Sequence, residues 1–155
     1  MKVKGWLDLF LFGPQGQLKD ERHLENVITE VGDAHVADQM SDRDEGTMSH
    51  MAIGTGTTAA QASDTLLEAE LADGRVPLST KYQGAGADDN DVVYKAEWGA
   101  GTATGAITEA GLFNQGSLYG GTDGGVMMCR QVFAEINKGT DDTLTITWTI
   151  TFGAS

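Results

Sequence analysis

Cysteine and proline are nearly missing from this chain. A single thiol, Cys129, cannot close an internal disulfide, so a disulfide-stapled secreted scaffold is excluded. Only two prolines occur, and the 21 glycines follow no triplet period, which excludes a collagen-like rod. Long apolar runs are missing too. The stretch "WLDLFLFG" is broken by Asp8 and ends at Gly13-Pro14, far short of the roughly 20 apolar residues of a membrane span. No small-residue cleavage site follows it, so it does not read as a secretory signal. Basic residues are scarce, with 10 Lys and Arg against 23 Asp and Glu and a formal charge of −13. Phosphate backbones and anionic lipids both attract the opposite sign, so neither nucleic acid nor a membrane is an expected partner. A reducing, soluble compartment is expected.

What is present suits a compact β domain. The 155 residues, 40% of them hydrophobic, are enough to bury a core and fit one domain over 1–155. Residues 142–153, "DTLTITWTITFG", alternate strictly. Leu144, Ile146, Trp148, Ile150 and Phe152 face one way, and five threonines face the other. Period two means a strand with one buried face. Residues 92–98 alternate likewise, with Val92, Tyr94, Ala96 and Trp98 opposed to Val93, Lys95 and Glu97. Further strands are expected at 47–54, 105–114 and 124–133, and residues 18–29 fit either a strand or a helix. A helix over 29–41 follows from Val31, Ala34, His35 and Asp38 at helical spacing, with Thr29 as its cap. A second short helix or helical turn is expected at 63–71. Together these predict an all-β, jelly-roll-like β-sandwich of seven to nine strands with one or two short helices.

The strand at 2–12 is unusual because both of its alternating sets are apolar. Trp6, Phe10 and Phe12 lie on one side, and Leu7, Leu9 and Leu11 on the other. Such a strand is covered on both faces or lies at an assembly interface. Residues 1–13 are therefore a candidate interface strand, with Trp6, Phe10 and Phe12 as its contact residues.

Chemistry-bearing motifs are sparse. Gly54-Thr55-Gly56-Thr57-Thr58-Ala59 matches the dinucleotide pattern G-x-G-x-x-A. That pattern needs a helix straight after the glycines and a ribose-binding carboxylate about 20 residues on. Here "TTAAQASD" has no apolar face, and Asp73 falls in a turn. The run reads as a glycine-threonine turn leaving a strand. His23, His35 and His50 lack metal-type spacing. The acidic turns at 41–46 and 87–91 do not match a calcium loop. Cys129 sits in an apolar run and reads as a structural thiol, and no G-x-S-x-G elbow occurs. No enzyme, no cofactor and no metal is expected. A carbohydrate site would use Trp98 with Glu97 and Tyr94, although Trp98 falls on the apolar side.

Three stretches taken together carry a resemblance. They are "MAIGTGTTAAQASDTLLEAEL" at 51–71, "AITEAGLFN" at 106–114 and "GGVMMCRQVFAEINKGTDDTLTITWTITF" at 124–152. In this order and spacing they resemble a family of small virion proteins of tailed bacteriophages. Residues 72–105 carry no part of the resemblance. Family members are phage structural proteins, some of them tail-fibre related. No shaft-forming repeat is present, and the sequence stops just after its last strand. The resemblance therefore implies a capsid cement (decoration) protein, as a homodimer or homotrimer on the outer surface of the capsid. Its partner would be the major capsid protein, with assembly in the host cytoplasm. The alternatives are a tail, baseplate or fibre-connector protein, and a carbohydrate-binding sandwich.

Overall fold

A computed structural model of the chain describes residues 2–41, 46–116 and 125–153. Ten strands form two five-stranded antiparallel sheets. Sheet A runs in the order β2 (Leu18–Glu25), β1 (Val3–Phe12), β10 (Thr143–Phe152), β7 (Asp91–Trp98) and β6 (Thr80–Gln83). Sheet B runs in the order β3 (Val27–Ile28), β9 (Met127–Lys138), β8 (Gly105–Phe113), β4 (His50–Gly54) and β5 (Glu70–Pro77). This is the expected all-β sandwich. The first and last strands pair along their whole length, from Val3 opposite Phe152 to Phe12 opposite Thr143.

Alternation decides which side of each strand is buried. Leu7, Leu9 and Leu11 of β1 meet Leu144, Ile146, Trp148 and Ile150 of β10 in the layer between the sheets. Sheet B contributes Met51, Ile53, Ile107, Ala110, Leu112, Cys129 and Ile136 to the same cluster. Trp98 is fully buried, and its indole N–H donates to the Gly74 carbonyl at 2.7 Å. Cys129 is buried as expected, and burial pushes its thiol pKa well up. Residues 18–25, open between strand and helix in the sequence, pair with β1 as a strand. Their charges suit an edge strand, because charged side chains discourage pairing with another chain.

The helix forms where expected, as α1 (Glu30–Ser41). Thr29 caps it, with its Oγ1 accepting from the Gly32 N–H at 2.9 Å. The buried face keeps His35 and Asp38 of the expected set but takes Gly32 in place of Ala34. Gly32, His35 and Asp38 are buried, whereas Ala34 is exposed. Gly32 weakens a helix in isolation but is needed for docking on β9. A Cβ at Gly32 would lie 2.4 Å from the Met128 carbonyl oxygen. The second expected helix, at 63–71, is absent. Residues 63–69 form turns and bends, and β5 begins at Glu70. The turn at 87–91 holds a short 3₁₀ helix at Gly86–Asp88. Residues 42–45 of the acidic turn at 41–46 lie outside the described residues.

Trp148→Ala empties a site between the sheets, so it should destabilise the domain by about 3–5 kcal/mol. A urea melt checks this, and an unchanged midpoint would contradict the burial of Trp148.

Candidate functional site

The three resembling stretches meet at one buried charge cluster. A register shift between Ile107 and Glu109 of β8 turns both Thr108 and Glu109 toward the segment at 55–69. The Glu109 carboxylate accepts from the backbone N–H groups of Gly56 at 3.1 Å, Ala69 at 2.7 Å and Glu68 at 3.1 Å. Arg130, on neighbouring β9, donates to the same carboxylate through Nε at 3.0 Å and Nη2 at 2.9 Å. Its Nη1 donates to Asp64 at 2.8 Å. Burial opposes the charge of Arg130, but Asp64 and Glu109 outweigh it and hold the guanidinium pKa above its ordinary value. Thr108 closes the cluster by donating to the Gly56 carbonyl at 2.7 Å.

This geometry explains the glycine run. A Cβ at Gly56 would lie 2.6 Å from the Glu109 carboxylate, and one at Gly54 2.4 Å from the Ala69 carbonyl oxygen. The glycines let the backbone approach a carboxylate, not a pyrophosphate. Leu67 then plugs the outer side of sheet B against Ala52, Phe113 and Met127. The Glu109 carboxylate and the Arg130 guanidinium thus tie the 55–69 segment to β8 and β9. The signal for this cluster lay in the sequence, as one acid and one base set inside apolar strands at "ITEAGLF" and "MMCRQVF".

Sheet A has a different outer side. Trp6, Phe10 and Phe12 all lie on it, opposite Thr149, Thr145 and Thr143 of β10. They do not pack into the core, which Leu7, Leu9 and Leu11 fill. Cross-strand pairing extends each row over neighbouring strands. One row runs Glu25, Trp6, Thr149, Val93, Tyr82. The next runs His23, Asp8, Thr147, Lys95, Thr80. A third runs Glu21, Phe10, Thr145, Glu97, and a fourth Leu18, Phe12, Thr143. Between Phe10 and Phe12 on one side and Lys95 and Glu97 on the other lies a groove of about 590 Å³, floored by threonines. Leu18 and Tyr82 escaped the sequence reading, because only strand pairing brings them to this face.

The other candidate residues fall elsewhere. Tyr94 and Trp98 point inward while Glu97 points outward, so the three cannot form a carbohydrate platform. His50 accompanies Ser49, and His35 is buried on α1. Among the described residues no group of three or more His, Cys, Asp or Glu side chains could hold a metal ion. No described helix is long and apolar enough to cross a membrane. The chain matches no family model, no curated protein and no solved structure.

His23 joins Asp8 at 2.6 Å and Glu21 at 2.8 Å, with its ring edge-on to Phe10. The two carboxylates raise its pKa above 6.5, Asp8 contributing most. Its contribution to stability is therefore complete below that value and lost as pH rises through the raised pKa. In an NMR titration His23 should titrate above 6.5, and Asp8→Asn should move it down.

Glu109→Gln keeps the shape of the buried pair but removes the carboxylate charge, and leaves Arg130 facing Asp64 at 2.8 Å and Glu68 at 3.7 Å. We expect it, like Arg130→Met, to cost about 3–5 kcal/mol. The double variant should cost less than the sum of the two, as read by denaturant melts. Strict additivity would mean that the two side chains do not interact.

Proposed function

We propose that the protein is a structural component of a tailed-bacteriophage virion. Its role would be that of a capsid cement that clamps neighbouring subunits of the major capsid protein. The observation that carries this reading is the aromatic strip Trp6, Phe10 and Phe12 on the outer side of a sheet whose inner side is already filled. A sandwich that stabilises itself through its inner layer has no internal use for aromatic residues outside. An apolar surface of that kind is the ordinary mark of a docking face.

Two further features support the reading. The segments resembling small phage virion proteins fold into one unit, joined by Glu109 and Arg130. The charge cluster that joins them lies on sheet B, away from the outer side of sheet A, although the third segment runs on into β10 of that sheet. The chemistry of a cement protein is also simple. It needs only to bind the assembled lattice more tightly than free subunits, and it then stabilises the shell by linkage. Repetition over many copies adds avidity to a modest single contact. A net charge of −13 helps keep particles apart in solution.

Co-sedimentation with capsids stripped of the protein tests the proposal. We expect saturable binding in many copies and a raised capsid melting temperature. Trp6→Ala should weaken binding while leaving the protein's own melt unchanged. Binding to isolated tails alone would overturn the cement role in favour of a baseplate or fibre connector.

A further inference from the structure

We infer that the whole outer face of sheet A, from Leu18 on β2 to Tyr82 on β6, docks a protein surface that sets apolar side chains against Trp6, Leu18 and Tyr82 and basic ones against Glu21, Glu25 and Glu97. The inference rests on the virion reading and extends it from one strand to five, with a stated partner chemistry. Among the described residues five large hydrophobic side chains are exposed, and three of them share this face: Trp6 at 45%, Leu18 at 51% and Tyr82 at 52%. Their positions follow from pairing and not from closeness in sequence. Trp6 and Tyr82 end the same row across β1, β10, β7 and β6, a span of roughly 14 Å at the usual strand spacing. Leu18 stands beside Phe12 at the far end of the strands.

Charge selects the partner. Glu21 and Glu25 line the β2 margin and Glu97 stands on β7, all exposed. Asp8 lies further in and is tied to His23. Lys95 is exposed among these acids on β7. A second copy of this chain would bring the same acids, and a further −13, against them. Like charges set opposite each other disfavour that assembly. A surface that interleaves Lys or Arg with apolar side chains meets both the acids and the exposed Trp6, Leu18 and Tyr82. The threonine floor suits such contact, since short β-branched side chains lie flat and their hydroxyls can bond a partner's backbone.

The test measures binding of purified protein to stripped capsids and, in parallel, to isolated tails. Three surface variants are compared with the wild type, each checked for an unchanged melt. Trp6→Ala with Tyr82→Ala should weaken binding about tenfold or more, as loss of two aromatic anchors does. Glu21→Lys with Glu25→Lys should weaken it about tenfold, and should flatten the fall in affinity as salt rises from ~0.05 to ~0.5 M. Leu66→Ser, a change at an exposed residue of the 55–69 segment, should bind as the wild type does. Wild-type binding to capsids that survives both double variants overturns the inference and leaves the virion reading standing. Wild-type binding to tails alone overturns the cement role, and the same variants against tails then decide the face. Binding to neither probe overturns both. A dimer of the free protein that Trp6→Ala dissociates overturns the choice of a basic partner.

Discussion

The contact between Glu109 and Arg130 organises more of this structure than any other. Both side chains are buried, and removal of either leaves an unpaired charge in a low-dielectric interior. Each also reaches the same distant segment. Glu109 takes three backbone N–H groups from the 55–69 segment, and Arg130 reaches Asp64 in that same segment. A stretch with no helix or strand of its own is thereby held against sheet B. The seating of Leu67, the close approach at Gly54 and Gly56, and the cover over β8 all depend on that anchorage. Three backbone bonds and an ion pair on one carboxylate offset the cost of taking it out of water.

The two sheets then differ in what their outer sides are free to do. The outer side of sheet B is covered by its own chain, through Leu67 on Ala52, Phe113 and Met127, while α1 packs on β9 beside the layer between the sheets. On the outer side of sheet A Trp6 is exposed, and the threonines of β10 are half-buried apart from Thr145, which is buried. This asymmetry is why the proposed docking is assigned to sheet A. On the proposed reading the charge cluster serves folding and the aromatic face serves binding.

Several features were legible in the residues. The strict alternation of 143–152 and of 92–98 placed Trp148 and Trp98 inward, where they lie. Thr29 was readable as a cap, because a side-chain oxygen just before a helix can accept only from the first turn. The failure of Gly54 to Ala59 to be followed by an amphipathic helix was also readable, and it separated that run from a nucleotide site. Other expectations went astray for a physical reason. The 63–71 segment has the composition of a short helix, but Glu109 takes the N–H groups of Glu68 and Ala69. Those donors are then lost to any helix. Ala34 suited the buried side of α1 by spacing, yet the backbone of Met128 comes so close that the contact falls on Gly32 instead.

Period and composition by themselves determined the class of fold, the inward sides of β7 and β10, and the existence of a strand with apolar residues on both sides. These are local properties, set by the geometry of the pleat and the cost of leaving apolar surface in water. Strand order, register and the pairing of distant charges were decided only by tertiary structure. Glu109 and Arg130 stand 21 positions apart, and Trp6 and Tyr82 are further apart still. Nothing local ties such residues to each other. They come together because antiparallel pairing and burial act on the whole chain at once, and because a buried charge is tolerated only where its partner arrives with it.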